Sequence, residues 1–189
     1  MSSSHRETPQ AVFATAQSAI ARADWETFFA CLDQPDLLRI AKNGVGVLVA
    51  TPPDAATRAL CAVHGFPLDD VYNRGQRIAE SSQAMRRASS RELSLQHKAL
   101  VDAYTDAIEA GLRGLVDLAG FTAALERRMR SAGGSGSVSS RLFADETLAD
   151  VVVEGGNARG KRRSPAGAID EIAFVQRKDG WRIRLPLKR

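Results

Sequence analysis

Residues Gly155-Gly156-Asn157-Ala158-Arg159-Gly160-Lys161 have the spacing GxxxxGK, which in other settings builds a phosphate-binding loop. Such a loop works because its backbone N–H groups wrap the phosphates, its Lys neutralises them, and a following Ser or Thr holds magnesium at the start of a helix. Here Arg162 follows the Lys, and Pro165 stands where the helix would run. Only 28 residues remain after Lys161, too few for the parallel sheet that carries these sites. The segment reads as a glycine turn leading into a basic stretch, without a nucleotide site.

The remaining reactive side chains are scattered. Cys31 and Cys61 stand thirty positions apart, and His5, His64 and His97 form no cluster with them. Zinc needs three or four ligands brought close together, so no metal site is expected, and two buried free thiols in a reducing compartment are. A Cys61–His64 nucleophile pair lacks anything nearby that would depress the thiol pKa. Asp24 with Glu26, and Asp69 with Asp70, read as helix starts or solvated surface, because no neighbour would split their pKa values into an acid and a base. His64 suits the end of a helix, and His97 falls on an apolar helical stripe. No catalytic residue, cofactor-binding residue or metal ligand is assigned, and no cofactor is expected.

Charge supplies the last candidate. Residues 159–189 hold ten Lys or Arg against three carboxylates, a local net of +7, while the other 158 residues carry −3. Lys161-Arg162-Arg163, with Arg159, Arg182 and Arg184, could attract nucleic-acid phosphates. Without a recognised binding motif or interleaved aromatics, these cations read instead as the solvated outer face of a hairpin. Nucleic acid is therefore not the expected partner.

The elements that must position these groups follow from spacing. Thr8 and Pro9 start a helix with Val12, Ala16, Ala19 and Ile20 on one face. Trp25, Phe28, Phe29 and Leu32 form a second stripe. Residues 33–42 predict a short helix stopped by Asn43-Gly44, and Val45–Ala50 fits either a strand or a helical core. Helices follow over about 53–64, 68–78, 92–110 and 115–130. Residues 131–140, SAGGSGSVSS, read as a flexible connector. Strands are predicted over 147–154, 169–176 and 181–185, the last alternating Trp181, Ile183 and Leu185 with arginines. Helices first and antiparallel strands last give an α+β fold.

The chain has 189 residues, 44% hydrophobic and 25% charged, enough for one domain with a core of its own. The polar start and the short apolar runs predict neither a signal peptide nor a membrane span, hence no membrane partner and a cytoplasmic setting.

Ala19-Ile20-Ala21-Arg22-Ala23-Asp24-Trp25-Glu26-Thr27-Phe28 resembles the first helix of the nuclear transport factor 2-like, or ketosteroid-isomerase-like, superfamily, of cystatin-like α+β type. Asp145–Glu154 and Phe174–Ile183, with its Asp179-Gly180-Trp181 turn, are similar to that family's terminal strands. The resemblance covers residues 9–45 and 142–187. It implies N-terminal helices packed on a curved antiparallel sheet formed largely by the C-terminal strands, a conical pocket and a homodimer. Residues 52–130 depart from it as a long helical insertion. The Asp base and the Tyr or Asp oxyanion hole of the family's enzymes have no counterpart here, since Tyr72 and Tyr104, the only tyrosines, both lie in the insertion. The expected function is a non-catalytic module that binds a small molecule or a protein. The alternatives are an isomerase- or dehydratase-type enzyme on a small apolar substrate, and a weak nucleic-acid-associated protein using the basic hairpin.

Overall fold

A computed structural model describes residues 6–87, 91–134, 136–139 and 141–185; His5 lies outside them. Among the described residues, seven helices precede a four-stranded antiparallel sheet, so the fold is α+β with a curved, unclosed sheet. The chain divides into two compact units, residues 1–37 with 130–189, and residues 38–129.

In the first unit, α1 (Pro9–Ala21) starts where Thr8 accepts a hydrogen bond from the Ala11 amide, with Pro9 in the first turn. Its buried face is Val12, Phe13, Ala16, Ala19 and Ile20. Asp24 caps α2 (Trp25–Ala30) by accepting from the Thr27 amide at 3.2 Å. Trp25, Phe28, Phe29 and Leu32 are all buried, as their spacing requires. The strands β1 (Thr147–Glu154), β2 (Asn157–Arg163), β3 (Ile169–Arg177) and β4 (Gly180–Arg184) pair in that order.

β2 is the strand that spacing did not predict. Its inward positions are Ala158, Gly160 and Arg162, which give no hydrophobic alternation. Gly160 is there because a Cβ would come within 2.9 Å of Leu148 and 3.2 Å of Val151 on β1. Beside it, the register of β1 shifts between Ala149 and Val152, and Asp150 takes φ +52° in the resulting bulge.

The sheet turns Ile172, Phe174 and Ile183 inward, each at most 2% exposed. Phe13 and Phe28 lie 5.1 and 6.5 Å from Phe143 between ring centroids, and Trp25 meets Phe28 edge-on at 6.5 Å. Each such buried ring contributes roughly 1.5–3 kcal/mol of transfer free energy.

In the second unit, α3 (Gln34–Leu48) runs past Asn43-Gly44, correcting the expected stop and placing Val45–Leu48 in a helix. Ala41, Val45 and Val49 fall four apart and are buried, which offsets the roughly 1 kcal/mol that each helical glycine costs. Asp54 caps α4 (Ala55–His64), and Gly65 ends it at φ +76°. α5 (Leu68–Arg87) and α6 (Arg91–Arg113) both run longer than expected, and α7 spans Leu118–Ser131. Cys61, Phe66, Val71, Ile108, Leu112, Phe121 and Leu125 join the α3 stripe in this unit's core. Among the described residues, no helix is long and apolar enough to cross a membrane.

Candidate functional site

The GxxxxGK segment is a hairpin. Gly155 and Gly156 form the turn between β1 and β2, and Asn157 to Lys161 lie within β2. Strand follows the glycines where a phosphate site requires helix, so the amides bond across the sheet and cannot converge on an anion.

The thiols are equally unreactive. Cys31 and Cys61 are free and 1% exposed. Burial pushes Cys31 up to about 11, outweighing Arg6 and Arg182, and burial with the nearby Asp69 charge pushes Cys61 up to about 11. Asp24 is a cap, Asp69 pairs with Arg58, and Asp70 pairs with Arg74 at 2.9 Å. His64 sits in the last turn of α4, its ring 5.5 Å from Phe121. His97 is half-buried on α6. Among the described residues, no group of three or more His, Cys, Asp or Glu could hold a metal ion. Trp25 and Trp181 are core residues, 4% and 5% exposed.

The basic cluster is divided by the pleat. Successive residues of a strand face opposite sides, so Arg159, Lys161 and Arg163 point outward and Arg162 points inward. Arg162 is 7% exposed, pairs with Glu146 at 3.0 Å and Asp170 at 3.6 Å, and lies 5.3 Å over Phe143. Arg182 is buried too, correcting the expectation of a solvated charged face on β4. Burial, then Arg6, lowers its pKa against the opposing pull of Asp179. Four of the six cations therefore remain on the surface: Arg159, Lys161, Arg163 and Arg184.

The two edges of the sheet are built differently. At β4, Leu32 makes a parallel bridge to Ile183. Ile183 N–H donates to the Cys31 carbonyl and Asp33 N–H to the Ile183 carbonyl, both at 2.8 Å. The Asp33 carboxylate, 1% exposed, accepts from Arg177 at 2.7–2.9 Å and from Arg184 at 3.1 Å. Burial acts to raise its pKa, but the two arginines together hold it below the ordinary aspartate value. The Leu185 amide donates to Asp36 at 3.0 Å. This non-local bridge and its ion-pair clamp were not foreseen, and only the Asp at 33 and the Arg at 184 hint at them.

At β1, by contrast, the backbone hydrogen bonds among the described residues all run to β2. Val152 and Val153, neighbours on opposite faces, are 58% and 53% exposed. On the outer face a shallow pocket of about 200 Å³ is lined by Val152, Glu154, Asn157, Ala158 and Arg159. Alongside it runs the row Arg159, Lys161 and Arg163. Lys161 pairs with Asp150 at 3.0 Å, whereas Arg159 and Arg163 make no ion pair among the described residues.

The comparisons with known proteins give nothing to set beside this geometry: no family model, no curated protein and no solved structure matches the chain.

Proposed function

We propose that this chain is a non-catalytic protein-interaction module of nuclear transport factor 2-like type, working in the cytoplasm. The observation that carries this reading is the contrast between the two faces of the sheet. The inner face is packed with Phe28, Phe143, Phe174 and Ile183, each at most 1% exposed, where a ligand-binding or catalytic member would keep a pocket. The outer face presents cations, a shallow pocket and the exposed Val152, which is the make-up of a contact surface. Helices α1 and α2 before the sheet and the closing β3–β4 hairpin fit the family resemblance. Two buried free thiols fit a reducing compartment. A homodimer, which the resemblance also implies, is an alternative use of the same outer face.

The test is a panel of small apolar ligands (sterols, fatty acids, terpenoids) followed by melting temperature and by amide shifts of Phe28, Phe143 and Phe174. No saturable response is expected. A saturable site at these three residues, filled and abolished by Ala158→Leu on the same inner face, would overturn the reading in favour of a small-molecule binder or enzyme.

A further inference from the structure

The open β1 edge and the cation row beside it together define a specific kind of partner. We infer that β1 docks an extended acidic peptide segment of another protein, which adds to the sheet as a further strand; this rests on the interaction-module reading above. An edge strand offers unpaired N–H and C=O groups at alternate residues, and these bond equally well to any extended chain. Selectivity must come from the side chains alongside.

On the outer face, β1 presents Thr147, Ala149 and Val152, directly opposite Arg163, Lys161 and Arg159 on β2. Two of those three edge residues are small. A strand added beyond β1 would lie roughly 10 Å from β2, since neighbouring strands are about 4.8 Å apart. The Arg163 side chain, opposite Thr147, and the Lys161 side chain, opposite Ala149, are each long enough to span most of that distance. Outward residues on one strand recur about every 6.8 Å, so Arg159 and Arg163, which make no ion pair among the described residues, match carboxylates four positions apart on the incoming strand, with Lys161 and its Asp150 partner between them. The pocket lined by Val152, Glu154, Asn157, Ala158 and Arg159 lies at the hairpin end of the row and has room for one side chain of the incoming strand.

A second copy of the chain suits this edge poorly. Pairing β1 with β1 about a two-fold axis would bring two cation rows toward each other. It would also set two bulges at Asp150 against one another, and bulges twist an edge away from flat pairing. An acidic strand brings no like-charged row and meets a single bulge instead of two.

The probe is a fluorescein-labelled hexapeptide of alternating Glu and Val, compared with its Lys-and-Val counterpart, in fluorescence anisotropy with the full chain. The acidic peptide is expected to bind in the micromolar range and the basic one not at all. Arg159→Glu with Arg163→Glu, both on the solvent face, should weaken binding about tenfold or more while leaving the melting temperature in place. N-methylation of one set of alternate peptide amides should abolish binding and methylation of the other set should spare it, a signature of strand addition that charge alone does not give. Equal binding of both peptides, indifference to N-methylation, or no binding would overturn the inference. So would a dimer by sedimentation whose β1 amides are protected from exchange. If the peptide fails while the apolar panel leaves the inner face silent, only this inference falls; a filled inner face removes the module reading itself.

Discussion

One sheet in this molecule ends in two unlike ways. At β4 the backbone is continued by Leu32, and a carboxylate with two arginines is clamped over the join. At β1 the sheet stops with valines in water and a bulge. Both are antiparallel edge strands of one sheet, and beyond the bulge the difference lies in what the rest of the chain supplies. The turn from α2 into α3 arrives beside β4 with its own extended residue, and nothing among the described residues performs that service for β1. A closed edge contributes to the fold's stability, and an open one is available for recognition.

The comparison breaks most visibly at Ile183, which is fully buried and whose amide and carbonyl both bond to the Leu32 segment. Ile183→Ala should destabilise the protein by about 2–5 kcal/mol, the range for a large-to-small change in a packed core. Chemical denaturation measures this directly, and a loss under 1 kcal/mol would mean that the closed edge is not part of the core.

The Asp33 clamp comes next. Removing the carboxylate leaves Arg177 and Arg184 without their shared partner, but both are nearly half exposed and water can resolvate them. Asp33→Ala should therefore cost about 2–3 kcal/mol, below the full penalty for breaking a buried pair. Because the folded state holds the Asp33 pKa below its unfolded value, the clamp's contribution is fully present above the unfolded value of about 3.9. It is lost as pH falls through the lower folded value. A pH series of denaturation curves for Asp33→Asn should lack that part of the acid destabilisation; curves parallel to wild type throughout would remove Asp33 from the account.

At the open edge the expected effect is smallest. Val152→Thr keeps a β-branched side chain at an exposed position and should change stability by no more than about 0.5 kcal/mol. Hydrogen exchange sharpens the contrast in the same protein: the Ile183 amide should open only with global unfolding, while β1 amides facing away from β2 exchange quickly. Matched protection at the two edges would erase the distinction.

Much of this architecture is legible in local chemistry. Thr8, Pro9 and Asp24 mark helix starts, the Trp25–Leu32 stripe is buried as its period requires, and Lys178-Asp179 is the turn between paired strands. Three features escaped because their causes are not local. β2 has alanine, glycine and arginine at its inward positions, so period-two hydrophobicity is silent even though a period-two burial pattern exists. Asn43-Gly44 carries a stop signal that the burial of Val45 and Val49 overrides. The Leu32 bridge joins residues 151 positions apart, and nothing in a single extended residue announces its partner. The site was half visible: the basic run stood out, but only the pleat shows that Arg162 serves the interior and that Arg159, Lys161 and Arg163 form the row.

The two cysteines lead to a practical property of the molecule. Each compact unit contains one of them, Cys31 in the first and Cys61 in the second, both buried and both with thiols displaced to about 11. At neutral pH a thiol reagent finds almost no thiolate, and no access, until the surrounding unit opens. The chain thus carries one thiol clock in each unit, and peptide-resolved mass spectrometry after timed alkylation reads the two separately in an unlabelled, unmutated protein.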